Sequence, residues 1–239
     1  MEKMYDELAA WWPLLSPPND YIEDAGFFAE QFRAAGLPSA PSLLELGAGG
    51  GSLAFHLAPH FAETVLTDLA PGMLAVSEAI NPTCQHLIGD MRTLRLGRQF
   101  DAVLIYDAIE YMRTEEELRQ ALTTAHAHCK LDGVALFAPD HTAETFEPST
   151  EHGGIDGADR ALRYLEWAYD PDPTDTTYNV EYTYVLRQAG QPVRVEHEPH
   201  TFGLFPTATW LRLLAEVGLE ANVVRAPYNR DIFVCTKRS

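Results

Sequence analysis

Basic side chains are scarce in this chain of 239 residues: 17 Lys and Arg stand against 35 Asp and Glu, a formal net charge of −18. A surface that acidic repels nucleic acid and anionic lipid, and no Lys/Arg cluster overrides it locally. Cationic or neutral partners fit better. Cysteine is scarce too. Cys84, Cys129 and Cys235 are widely spaced and odd in number, with no CxxC or Cys/His ligand spacing. That argues against a disulfide framework and predicts no metal site. No apolar stretch reaches the ~18 residues of a membrane span. The opening MEKMYDELAAWWPLL has no basic stretch leading into a long apolar one, so it does not read as a signal peptide. These absences predict a cytoplasmic protein, monomer or homodimer, that engages neither nucleic acid nor membrane.

What is present is a core-forming composition, 46% hydrophobic, in an ordered alternation. Residues 19–36 read as a helix, with Asn19 or Asp20 as cap and Gly36 as stop. Five apolar runs (41–47, 64–70, 84–91, 100–109 and 133–140) read as buried strands. Helical segments at 51–61, 71–80 and 114–129 separate them, the last opened by Thr114 and Glu117 as a capping box. This alternation implies a doubly wound parallel sheet. The pattern changes after the fifth strand. Between 161 and 205 three alternating segments, two of them joined by a turn at 187–192, read as an antiparallel sheet with one apolar side. A helix (207–218) and two last strands follow. The expected fold is α/β: a Rossmann-like, doubly wound, seven-stranded sheet with a small antiparallel insertion after the fifth strand. Residues 1–40 would form a helical lid region, 41–141 and 206–239 the ligand-binding core, and 142–205 the inserted sheet on the substrate side.

The stretch LLELGAGGGSLAFHL, residues 43–57, joins the first strand to the next helix through a glycine turn. In open parallel sheets ligands sit at this end of the strands. A phosphate loop needs GxxxxGK[ST], and no lysine lies nearby. A dinucleotide turn wants G-x-G-x-x-G/A; from Gly47 the spacing is instead G-x-G-x-G, with Ser52 at the last position. S-adenosylmethionine is the third candidate. Its methionine portion needs close backbone approach, which Gly47, Gly49 and Gly51 allow. Its charge is positive, so Glu45 helps it where a pyrophosphate would be repelled. Asp68, at the end of the second strand, suits two ribose hydroxyls, although that alone does not separate this cofactor from NAD. Asp90 suits an adenine amino group with Met91 against the ring, and Asp107 follows the fourth strand.

Taken together, LLELGAGGGSL, VLTDLAPGML, LIGDMRTL, FDAVLIYDAIEYM and CKLDGVALFAPD resemble consecutive motifs of class I S-adenosylmethionine-dependent methyltransferases over residues 41–140. The resemblance implies that Ala48, Leu69, Met73 and Tyr106 join the cofactor set. The N-terminal MYDELA…NDYIEDA and the antiparallel insertion are more loosely similar to small bacterial amino-sugar N-methyltransferases. That likeness implies Tyr5 and Tyr21 near the methionine end and Tyr111 facing substrate. Their acceptors are carried on an anionic nucleotide diphosphate, for which this chain shows no basic patch, so their substrate is not carried over.

The expected reaction is methyl transfer to a small-molecule acceptor, cationic or neutral, at N or O. Candidate bases are His141, Glu110 and Tyr111 at the strand ends. Trp11 and Trp12, in AAWWPLL, are candidate lid aromatics over the substrate. His152, in a glycine-rich loop entering the inserted sheet, and Trp167 are further candidate substrate contacts. The alternatives are an S-adenosylmethionine-binding protein that transfers no methyl, and an NAD(P)-dependent oxidoreductase.

Overall fold

The structure is a computed structural model and describes residues 2–237, apart from the Tyr228 side chain. Seven strands form one sheet: β1 (Ser42–Leu46), β2 (Glu63–Asp68), β3 (Gln85–Ile88), β4 (Phe100–Ile105), β5 (Cys129–Phe137), β10 (Leu219–Arg225) and β11 (Asp231–Lys237). Their order is β10-β11-β5-β4-β1-β2-β3. The chain runs outward from β1 through β2 to β3, then returns to lay β4 on the other side of β1, both neighbours parallel to it. That reversal is the switch point at which open α/β sheets place their ligands. β11 enters antiparallel between β5 and β10.

Strand alternation sends successive residues to opposite faces, and here both faces are covered. On one, Leu44, Leu46, Val103, Ile105, Ala135 and Phe137 pack with residues of α5 (Glu115–His128) and α6 (Thr207–Glu216). On the other, Leu43, Ala102, Leu104, Val134 and Leu136 meet α2 (Ile22–Ala34) and α3 (Ser52–Leu57) through Phe28, Phe32, Leu53 and Leu57. Each of these strand leucines, fully buried, contributes about 1.5–3 kcal/mol of apolar transfer.

A second, four-stranded antiparallel sheet, β6 (Ser149–Gly153), β7 (Arg160–Tyr169), β8 (Thr177–Gln188) and β9 (Arg194–Gly203), interrupts the first between β5 and α6. The expected fold is thus the observed one, with local differences. β6 lies in the segment read as a loop; its residues are almost all exposed, so no apolar alternation marks it. The α-helix read from residue 19 begins at Ile22 behind a 3₁₀ turn, and neither Asn19 nor Asp20 caps it. β5 starts at Cys129, directly after α5, and absorbs the positive φ of Asp132 at an irregularity opposite Phe100 and Ala102. The N-terminal segment, with α1 (Trp12–Leu15), packs Met4 and Leu8 against Leu162, Tyr184 and Leu186 of the second sheet. Among the described residues no helix is long and apolar enough to cross a membrane.

Candidate functional site

The turn after β1 is shaped by left-handed glycines, Gly47, Gly49 and Gly51, with φ of 75°, 53° and 75°. Gly47 and Ala48 donate their N–H groups to the Thr67 carbonyl, each at 2.8 Å. Gly49 N donates to Asp68 Oδ2 at 2.8 Å, and Ala70 N to Asp68 Oδ1 at 2.8 Å. Asp68 therefore fastens the turn to the end of β2 while each oxygen keeps a second lone pair. Burial raises its pKa, and the backbone donors oppose the rise. A Cβ on Gly47 would come within 2.7 Å of the Met91 methyl and press on Ala108. Met73 is buried with its methyl close to Gly49, and Leu69 is half exposed.

Glu45 occupies the β1 end, 2% exposed, and its Oε2 has no hydrogen-bond partner. Burial, then Asp107 and Asp68, push it up to about 8. An orphaned buried carboxyl between two other acids is a place for a cation, since a positive group there relieves the repulsion that holds the proton on. A pyrophosphate at the same turn would add to that repulsion. The glycine turn, Glu45 and Asp68 thus fit a cationic nucleoside: acceptors for ribose, an anion for an ammonium, and no room for Cβ atoms. Asp90 and Met91 follow β3. Asp90 is gripped by Arg92, with Nη2 at 2.7 Å and Nε at 3.0 Å, and Arg92 reaches on to Glu117 at 2.9 Å. Those bonds hold Asp90 below the usual carboxylate range.

Beside this turn lies a charge cluster that the sequence reading did not find. Arg230, just before β11, bonds Asp107 at 2.8 Å, pairs with Asp140 beyond β5, and stands 4.0 Å from Asp24 of α2. Its guanidinium lies 4.7 Å over the Tyr106 ring, whose hydroxyl donates to Asp24 at 2.6 Å. Burial raises Asp107 to about 6 although Arg230 opposes it. Tyr21 meets the edge of Tyr106 and bonds Ser16.

The candidate bases converge across three elements. Glu110, 3% exposed, accepts from His141 N at 2.9 Å and from the Tyr178 hydroxyl at 2.9 Å. Burial pushes it up to about 8. The His141 ring packs edge-on to Phe146 and Tyr178, and burial holds it below the ordinary imidazole value. Tyr111 bonds the Tyr5 hydroxyl at 2.9 Å and His200 Nδ1 at 2.8 Å.

The candidate substrate contacts divide. The Trp12 indole lies directly on Gly50, with Nε1 buried and unpartnered, and Trp11 sits under Arg160. His152 and Trp167 are not brought to this cluster. His152 is a residue of the edge strand β6, not of a loop, and pairs with Leu165; Trp167 is 51% exposed and stacks on Tyr169. Strand parity is the reason: both fall on the outer face. The inner face carries Glu151, Tyr164, Glu166 and Tyr182 in their place. Burial first, then Glu151 and Asp107, raise Glu166 to about 7. Its position one residue before Trp167 was the only signal for it.

Residues 44–135 match the family described as "Methyltransferase domain". The chain is 28% identical over 220 residues to a dTDP-3-amino-3,4,6-trideoxy-alpha-D-glucopyranose N,N-dimethyltransferase of Streptomyces venezuelae, covering 90% of this chain and 91% of that one. The fold superimposes on the sugar N-methyltransferase KedS8 from Streptoalloteichus with a TM-score of 0.84 at 27% identity, covering 92% of this chain and 89% of that one. It also superimposes on S-adenosylmethionine-bound CalS10, an amino pentose methyltransferase from Micromonospora echinaspora, with a TM-score of 0.77 at 26% identity and 91% of each chain covered. The cofactor is S-adenosylmethionine.

Proposed function

We propose that this chain is a class I S-adenosylmethionine-dependent methyltransferase whose acceptor is an amino group on a small sugar-like molecule. The observation that carries the reading is that the likeness to sugar N-methyltransferases spans the inserted sheet, the acceptor side of the molecule, as well as the cofactor core. The chemistry of that side agrees. Glu166, Asp107 and Glu110 line it with carboxyls, and Arg230 is already engaged by Asp107 and Asp140. An ammonium entering such a wall is attracted and loses no counter-ion.

When bound, S-adenosylmethionine supplies a methyl group activated by its sulfonium. The chain has three tasks: hold the cofactor, align a nitrogen lone pair and keep water out. Glu45, Asp68, Asp90 and the glycine turn would serve the first. Tyr178, His141 and Glu110, locked by mutual hydrogen bonds and ring contacts, would wall the nucleophile's approach. The Trp11–Trp12 segment, seated on Gly50, would exclude water from the turn. An amine needs little more, whereas a hydroxyl needs a strong base.

The test is incubation with S-adenosylmethionine and either dTDP-3-amino-3,6-dideoxyglucose or the unlinked amino sugar, with the 3-hydroxy counterparts as controls. Product mass and S-adenosylhomocysteine formation are followed. Methylation of an amino sugar and not of its hydroxy counterpart is expected. Equal transfer to the hydroxy sugars overturns the reading. So does calorimetric binding of S-adenosylhomocysteine without transfer to either amine.

A further inference from the structure

Tyr111 is the entrance to a buried hydrogen-bond chain that ties together three separate parts of the molecule. Its hydroxyl meets His200 Nδ1 at 2.8 Å on β9 and Tyr5 at 2.9 Å in the N-terminal segment. The far nitrogen of His200, Nε2, faces Glu198 Oε1 at 3.4 Å, an ion-pair distance without a formed hydrogen bond, and neither buried atom has another partner. The other carboxylate oxygen of Glu198 accepts the Met4 N–H at 3.2 Å. His200 and Glu198 are 4% and 5% exposed, whereas Tyr5 and Tyr111 keep some accessible surface. Tyr5 also packs on Ala70 and Met73, beside the glycine turn.

We infer that Tyr111, His200 and Glu198 form a proton relay that draws the proton from the acceptor's ammonium before methyl transfer, an inference that rests on the amine reading above. The Tyr111 hydroxyl has one proton and two acceptors within reach. When Nδ1 carries a proton, Tyr111 must donate to Tyr5; when Nδ1 is bare, it donates to His200. The ionised Glu198 carboxylate, which can only accept, favours the proton on the facing Nε2 in both states and stabilises the imidazolium by charge. Burial alone would raise Glu198, but His200 beside it and the Met4 and Lys3 backbone bring it below the ordinary value. The step balances. The acceptor N–H bond breaks, its proton passes to Tyr111 Oη, and the Tyr111 proton passes to His200 Nδ1. The electron pair left on nitrogen is the nucleophile for the methyl group. After product release the proton returns through Tyr111 to water entering the cleft. A second methylation of the same nitrogen repeats the cycle. Tyr111 is the catalytic residue of this relay; His200 and Glu198 are positioning residues that act through it.

The titratable groups facing His200 are Tyr5, Tyr111, Tyr182 of β8 and Glu198. Nitrogen-15 NMR of the S-adenosylhomocysteine-bound enzyme reads the relay directly. The expected result is a His200 whose Nε2 stays protonated while Nδ1 gains and loses its proton with pH, with the Nδ1 resonance displaced in Tyr111→Phe. In methyl transfer to an amino sugar, His200→Gln and Tyr111→Phe should lower kcat on the order of 10²-fold at pH 7. Both should recover toward high pH, where the ammonium loses its proton to solvent unaided, with the KM for S-adenosylmethionine unchanged. An Nδ1 that does not titrate, or a kcat loss equal at all pH values, overturns the relay. If the wild type binds S-adenosylhomocysteine yet methylates no amine, the functional reading falls instead, and the titration of Nδ1 still decides the relay.

Discussion

Asp68 anchors the glycine turn and, in the proposed reading, also accepts from the ribose; a pair of substitutions separates the two. Asp68→Ala removes both the proposed ribose acceptor and the anchor for Gly49 and Ala70. Asp68→Asn keeps one oxygen and much of the shape but puts an N–H where a backbone N–H already points. Calorimetry with S-adenosylhomocysteine should show affinity falling on the order of tenfold to a hundredfold for either, because a charge-assisted acceptor is lost. Alanine should also lower the melting temperature; unchanged affinity in both would remove Asp68 from the cofactor site. Glu110 supports a different prediction. Burial lifts its pKa from 4.5 to about 8. Below 4.5 it is protonated in both folded and unfolded chains. Between 4.5 and 8 the unfolded chain ionises while the folded one resists, so its contribution to stability drains away as pH rises. Glu110→Gln has no proton to lose, so its melting temperature should fall less than that of wild type from pH 5 to pH 9 by scanning calorimetry. A parallel pair of curves would refute the shift. At this scale the sequence was legible where strand geometry sets the position: Glu45 and Asp68 sit at the ends of strands read from continuous apolar runs. Arg230 was not, because Asp24, Asp107 and Asp140 come from three elements far apart in the chain, and only the folded sheet brings them to one cation.

At the scale of elements, the cap read at α5 held, whereas the one read at Asn19 or Asp20 did not. Thr114 Oγ1 accepts the Glu117 N–H at 3.2 Å, and Glu117 in return accepts from Arg113 N at 3.0 Å, one residue short of the expected partner. Thr114→Ala should therefore cost about 1 kcal/mol and lower the melting temperature by roughly 2–4 °C in scanning calorimetry. The antiparallel sheet was read from β7, β8 and β9, which alternate. β6 escaped because an edge strand with both faces open to water has no alternation to show, and its pairing with β7 is visible only in three dimensions. The same missing strand moved His152 out of its expected loop and, with Trp167, onto the outer face. The N-terminal segment carried weak signals as well. Its short 3₁₀ turns have no period to read, and what orders them is contact with Leu162, Tyr184 and Leu186. The seat of Trp12 on Gly50 gives a direct probe of that order. Gly50→Ala would drive a Cβ into the indole, so tryptophan emission should move toward that of exposed indole.

At the scale of the whole molecule, two electrostatic effects oppose each other, and their relative size fixes how salt acts on the fold. Ion pairs such as Lys3–Glu196, Arg98–Glu63 and Arg212–Glu115 are largely solvent-facing. Pairs of that kind contribute 0–1 kcal/mol each, and salt weakens them. Against them stand 35 acids and 17 bases, so that even if every base were paired, an excess of 18 negative charges would repel one another across the surface. At 0.1 M ionic strength the screening length is about 10 Å, shorter than most of the distances over which that repulsion acts. Screening should therefore remove more repulsion than attraction. The buried carboxyls Glu45, Glu110 and Glu166 sharpen the effect, because each is held protonated partly by neighbouring acids. Raising KCl from 0.05 M to 0.5 M should increase the melting temperature, with sucrose at equal osmolality as the control for preferential exclusion. A decrease would mean that the surface pairs outweigh the net charge. The same screening predicts that the KM for an amino-sugar acceptor rises with KCl if its ammonium is drawn in by the acid-lined wall, so one salt series reads both the stability of the fold and the charge of what it binds.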